Sequence, residues 1–159
     1  MMVLCAVLFS ISFPSQAVFA QSRQDALRAL QTLQSRCESG INYDGYVSAI
    51  REAQSHLREF LHSKESERNP EFSERVERAL IAYQTAFVIW NFKYANRQEF
   101  VSIDHPTIQA MLNVYPDSEA LFDRNGEVQV PKLVTFFWDK GDERIAEAKR
   151  LISGGKSRR

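Results

Sequence analysis

Between Asn69 and Tyr94 the chain reads NPEFSERVERALIAYQTAFVIWNFKY. No other segment of the chain is periodic for so long. Apolar residues fall at Phe72, Val76, Leu80, Tyr83, Phe87, Trp90 and Tyr94. The steps are always three or four, which lines one face of an α-helix. Asn69 is suited to cap that helix, and Pro70 to occupy its first turn, where its missing N–H costs nothing. Glu71–Arg75 and Glu74–Arg78 have the spacing of i,i+4 ion pairs. Further along, Ile81, Val88, Ile89 and Phe92 extend the apolar character around the helix. A helix apolar nearly all round is expected to be buried among neighbours. The stretch therefore predicts a central helix in an all-helical fold.

A chain of 159 residues suits one domain. Hydrophobic residues make up 44% and charged residues 25%, ordinary values for a globular chain. The formal net charge is zero. A nucleic-acid surface calls for a basic excess or stripe, and the basic cluster here is the tail Lys156, Arg158 and Arg159. That tail follows Gly154-Gly155 and is expected to be a solvated end, so no nucleic-acid partner is predicted.

Residues 1–20, MMVLCAVLFSISFPSQAVFA, carry no charge. The apolar run Val3–Phe13 has signal-peptide length, and Pro14-Ser15-Gln16 breaks it. Val18-Phe19-Ala20 then offers a cleavage site before Gln21. No Lys or Arg precedes the apolar run, a departure from the usual export signal. The rival reading is an uncleaved anchor, since about 20 apolar residues can cross a bilayer. The predicted organisation is a signal peptide at 1–20, a helical bundle at 21–153 and a disordered basic tail at 154–159. Cleavage would leave Cys37 as the only cysteine, unable to form an internal disulfide. No C-x-x-C surrounds it, and it is expected to be a small buried hydrophobe on the first helix.

The first helix is expected over Ser22–Glu38, with Ala26, Leu27, Leu30, Leu33 and Cys37 inward and Gly40 as its stop. A very short link makes the second helix, from Asn42 or Tyr43 to about His62, its antiparallel partner. Ser63–Arg68 reads as a polar connector. Residues 95–130 lack a long period. They predict one short helix, Thr107–Val114, capped by Asp104, and a small hairpin joining Leu121-Phe122 to Val128–Val130 across an Asp-Arg-Asn-Gly turn. The last helix is expected from Pro131 to about Ile152, with Gly141 marking a kink or break. The fold class is all-α: a four-helix-bundle-like up-down domain with a long crossover loop between the third and last long helices.

Several segments together carry a resemblance: Gly-Ile-Asn-Tyr-x-x-Tyr at 40–46, the Asn-Pro helix ending in Trp90-Asn-Phe-Lys93, Tyr115-Pro116 before a long loop, and Phe-Trp with Ala-x-x-Leu in the closing helix. The chain resembles small exported helical proteins of unknown function found in bacteria. The resemblance spans most of the chain after residue 20. It implies a helical exported protein and carries no activity, so no functional residue transfers from it.

Catalytic and metal-binding patterns are thin. After the export segment, the histidines are His56, His62 and His105. His56, Glu59 and His62 step by three, but His62 lies about 120° around the helix from His56. The pattern is not H-E-x-x-H, and a solvated helix face is expected. There is no C-x-x-C-H, G-x-S-x-G, P-loop or dinucleotide fingerprint. Neither a metal nor a cofactor is predicted. The aromatics Tyr43, Tyr46, Tyr83, Phe87, Trp90 and Phe137 are the candidate site residues, able either to fill the core or to line a pocket between helices. The resulting expectation is an exported, non-catalytic binding or interaction module with an unidentified protein or small-molecule partner. The alternatives are a small-ligand carrier with an aromatic pocket and an enzyme with a site in the 95–130 loop.

Overall fold

The computed structural model describes residues 22–154, and the expected signal peptide and the basic tail beyond Gly154 lie outside them. The long helices are α1 (Arg23–Glu38), α2 (Tyr43–Leu61), α4 (Pro70–Asn96) and α6 (Val130–Gly154). Between α2 and α4 lies the short α3 (Lys64–Arg68); between α4 and α6 lie β1 (Phe100–Ser102), α5 (Pro106–Val114), a 3-10 turn (Pro116–Leu121) and β2 (Glu127–Gln129). The largest interface joins α4 to α6; α1 packs on α2 and α6, and α2 on α1 and α4. The four long helices thus form a ring with α1 and α4 on one diagonal.

Contacts between neighbours run in opposite chain order. Arg23 meets Glu65 while Arg36 meets Glu52; Phe60 meets Phe72 while Tyr43 meets Phe87; Arg75 meets Glu147 while Trp90 meets Trp138. Each sequential pair of long helices is therefore antiparallel, as expected of an up-down bundle. The core combines Leu30, Leu33, Leu57, Phe60, Val76, Ile89, Leu133 and Phe137, all essentially inaccessible.

Local sequence explains most of the helix ends. A capping box starts α1, in which Ser22 Oγ accepts from Asp25 N and the Asp25 carboxylate accepts from Ser22 N. Gly40, at φ +84°, turns the chain after α1, and Asn42 Oδ1 accepts from Gly45 N to begin α2. The Pro-started closing helix is helical through its β-branched and aromatic run, LVTFFW.

Several expectations are corrected. The stretch Ser63–Arg68 is not a plain connector: Ser63 caps α3, and the Ser66 hydroxyl is buried against Ser73 Oγ at 2.8 Å. Asn69 makes no side-chain cap on α4. Its Oδ1 instead accepts from Arg23 Nη1 at 2.9 Å, and its Nδ2 donates to the Glu65 carbonyl. Long-range partners on α1 and α3 thus outcompete the local one. The same competition takes Arg75 away from Glu71, because Arg75 Nε reaches Glu147 on α6 at 3.2 Å. The Glu74–Arg78 pair does form, at 2.9 Å.

In the crossover, α5 appears where expected, but His105 caps it rather than Asp104: His105 Nδ1 accepts from Thr107 N at 3.2 Å. The hairpin partner also differs. Residues 127–129 pair antiparallel with 100–102, and Val101 faces Val128 with both buried. Leu121 instead ends the 3-10 turn. The Asp123–Gly126 turn itself forms, with Asp123 Oδ1 accepting from Asn125 N and Glu127 N.

Gly141 does not break α6, which is continuous from Val130 to Gly154. A Cβ there would stand 2.6 Å from Tyr83 Cε2. The glycine gives α4 and α6 their close approach.

Candidate functional site

Five of the six candidate aromatics fall into three groups, and Phe137 stands apart. Tyr46, on α2, is fully buried at the centre of the bundle. Its hydroxyl donates to the Tyr83 carbonyl at 2.8 Å and accepts from Trp138 Nε1 at 2.8 Å, linking α2 to α4 and α6. The Tyr46, Trp90 and Trp138 rings pack in a triangle with centroids 5.3–5.6 Å apart. Trp138 therefore joins the core through both its ring and its N–H.

Tyr83 is the second group. It lies under Gly141, and its hydroxyl donates to Asp142 Oδ1. Burial pushes the Tyr46 and Tyr83 hydroxyls far up from ordinary phenol values, and the Asp142 carboxylate pushes Tyr83 further. Burial raises Asp142 as well, against the opposing effect of its bonds to Tyr83 and Gln34. Nearby Cys37 is buried, and loss of solvent pushes its thiol up to about 12. It is packed as the small hydrophobe expected, and its environment disfavours the reactive thiolate.

The third group lies nearer the surface. Tyr43 stacks on Tyr94 at 4.0 Å and on Phe87 at 5.8 Å, and meets Trp90 edge-on. Its hydroxyl donates to Asn91 Oδ1 at 2.9 Å. Phe137 is separate from all of these, buried on α6 against Phe136 and Tyr115. Tyr43, Tyr46, Phe87 and Trp90 pack ring on ring, and none of the six lines either of the two clefts described next.

Both clefts run along α4. Ile81 and Val88 were expected to be buried by an all-round apolar helix, yet they are 42% and 46% exposed, while Ile89 and Phe92 on the inner side are buried. The short α5 covers the outer face of α4 only in part. Between them is a cleft of about 340 Å³ lined by Ile81, Thr85, Val88, Ala110, Met111 and Val114 among others. Val114 stands at its edge, 67% exposed. Towards the start of α4, a second cleft of about 560 Å³ opens between α4, α6 and the 3-10 turn. Its lining includes Arg78, Lys140, Arg144, Glu74, Glu77 and Asp117. Ile81, Val114 and Tyr115 belong to both clefts, which therefore adjoin one another along α4 as two parts of a trough divided at these side chains.

The remaining sequence candidates are dispersed. His56, Glu59 and His62 lie on the exposed side of α2, and His62 Nδ1 sits 2.7 Å from the Arg58 carbonyl. His105 is held at the start of α5 with its ring edge-on to Phe92 at 4.8 Å, and Asp104 beside it is exposed. Among the described residues, no group of three or more His, Cys, Asp or Glu side chains is placed to hold a metal ion. No described helix is long and apolar enough to cross a membrane.

Helical spacing missed Tyr115, Asp142 and the trough itself. The signal for the trough was the apolar excess on α4, more than three partner helices can cover. No family model, curated protein or solved structure matches the chain.

Proposed function

We propose that the protein is exported after cleavage near Ala20–Gln21 and acts there as a binding module rather than as a catalyst. The observation that carries the binding half is the outer face of α4. Ile81, Val88 and Val114 stay exposed over an apolar cleft, although burying each would be worth about 1.5 kcal/mol or more. Such a face gains most from a partner that covers it. Export rests on the apolar run ending at Val18-Phe19-Ala20 and on the resemblance to small exported helical proteins of bacteria. The mutual packing of the Tyr46, Trp90 and Trp138 rings supports a part in the bundle core rather than in a second pocket.

The test is native mass spectrometry with N-terminal sequencing of the protein taken from the cells that make it. A chain beginning at Gln21 and carrying a bound molecule or partner is expected. A chain beginning at Met1 or Met2 would replace export by anchoring. A bare chain whose mass and midpoint are unchanged by incubation with an extract of those cells would remove the binding reading.

A further inference from the structure

Resting on that reading, we propose that the partner covering α4 is a second copy of the chain. The two α4 helices would pack antiparallel across a two-fold axis, with Ile81 of each copy set against Val88 of the other.

The outer face of α4 carries a second stripe besides the buried one. Glu77, Ile81, Gln84, Val88, Asn91 and Ala95 follow one another in alternating steps of four and three. This is the heptad spacing by which one helix packs along another. All are exposed except Gln84, which is half-buried in the wall of the apolar cleft. One stripe of α4 thus serves its own bundle, and the other is left over in a register that suits a helix. The backbone groups of α4 and α5 are already bonded within each helix. An extended peptide laid against them would leave its own amides without partners, whereas a helix brings its amides already satisfied. Val114, 67% exposed beside Ile81 in the same cleft, would be covered by the same incoming helix.

Two features select α4 itself as that helix. The first is charge. From Glu71 to Arg78 there are three acids and two arginines, whereas from Val88 to Arg97 there are two cations and no acid. A parallel pair would set like ends together. An antiparallel pair sets the acidic end of each copy beside the basic end of the other, and brings exposed Arg97 within about one helical turn of the level of Glu74. The second is Gln84, midway between Ile81 and Val88 and therefore beside the two-fold axis. A primary amide both donates and accepts, so it is its own complement, and two copies of Gln84 can bond reciprocally. A single polar residue in an apolar seam also fixes its register. From Glu77 to Ala95 the seam runs about 27 Å. Its large apolar side chains are Ile81 and Val88 alone, so the pair is expected to dissociate on dilution.

The test is sedimentation of the protein, purified from the cells that make it, over about a hundredfold range of concentration. A monomer–dimer equilibrium is expected. Ile81→Glu and Val88→Lys change exposed positions. Each variant should keep the parent's unfolding midpoint, measured at dilutions where the parent is monomeric, while dimerisation weakens at least tenfold. Both changes in one chain set unlike charges against each other only in the antiparallel register, and should recover most of what either alone loses. A parent that stays monomeric throughout overturns the inference. A dimer that neither single variant weakens also overturns it, as does a double variant no better paired than the singles. Native mass spectrometry separates these failures from failure of the binding module. A monomer carrying some other molecule sinks the second copy alone, and a monomer carrying nothing sinks both.

Discussion

Gly141→Ala sets two opposing effects of known size against each other. In an open helix, alanine at this position would stabilise the fold by about 1 kcal/mol, through the lower backbone entropy of the unfolded chain. Here the new methyl would meet Cε2 of Tyr83 at 2.6 Å and Cδ2 and Cζ at 2.9 Å. The ring cannot swing away freely. It is fully buried, its carbonyl accepts from Tyr46, and its hydroxyl is tied to Asp142 one residue along α6. Overpacking of this kind costs about 1–3 kcal/mol. Misplacing the Tyr83 hydroxyl from a carboxylate adds about 1.5–3 kcal/mol if that bond is lost outright. The clash outweighs the propensity, and a net loss of about 1–3 kcal/mol is expected. Urea unfolding should show it as a midpoint lower by about 1 M at unchanged slope. The control is the same substitution in a Tyr83→Leu background, where the ring is gone and alanine should become neutral or stabilising. The cycle would then give a coupling of about 1–3 kcal/mol between positions 83 and 141. A Gly141→Ala protein as stable as its parent, with no coupling to position 83, would refute the role given to this glycine.

Trp90 is half-buried yet touches rings on α2 and α6, so Trp90→Ala should cost about 3 kcal/mol in urea unfolding, while His56→Ala on the exposed side of α2 should shift stability by less than about 0.5 kcal/mol. Equal midpoints for the Trp90 variant and parent would show that the triangle of rings contributes little. Cys37, with its thiol pushed up to about 12, should resist a disulfide-exchange reagent at pH 8 until denaturant is added. Rapid labelling of the folded protein would place it in an open environment.

Helical period carried the four long helices almost whole, because each has an apolar face that must be buried whatever its neighbours are. Errors cluster where a residue had both a local and a distant option. Asn69, Arg75 and Asp104 were assigned the nearby partner or role that spacing allows. In the structure Asn69 and Arg75 bond across helix boundaries, and His105 takes the cap expected of Asp104. Sequence spacing contains no information on which helix stands opposite. The same blindness affected Gly141, whose value is set by Tyr83, 58 positions away. Strand β1 was hidden for another reason. Three residues cannot establish a period, and only the match of Val101 with Val128 makes them a strand. The trough was half legible. An apolar excess on α4 was visible, but whether a neighbour covers it depends on the length of α5, which ends after nine residues.

The least legible feature was Asp142, which sequence alone places among the other charges of a solvated helix. In the fold it faces Gln34, Cys37 and Glu38 of α1, Tyr83 of α4 and Asp139 of its own helix, with Tyr46 behind Tyr83. Burial and the acids Glu38 and Asp139 raise its pKa, and the two hydrogen bonds recover only part of that shift. A carboxyl raised on folding keeps its proton in the native state over a pH range where the unfolded chain has already lost it. Its contribution to stability is therefore full below the unfolded value and declines as pH rises through the folded one. Asp142→Asn removes that ionisation while its side-chain carbonyl still accepts from Tyr83. Parent and variant should be similarly stable in acid below the carboxylate range. The variant should become the more stable as pH rises through the raised pKa, with the gap constant at neutral pH. Urea midpoints measured across that range decide it. A variant less stable at neutral pH, converging with the parent on acidification, would mean that Tyr83 and Gln34 hold Asp142 as a favoured carboxylate. In that case the bond between α4 and α6 at this level would be a charged one.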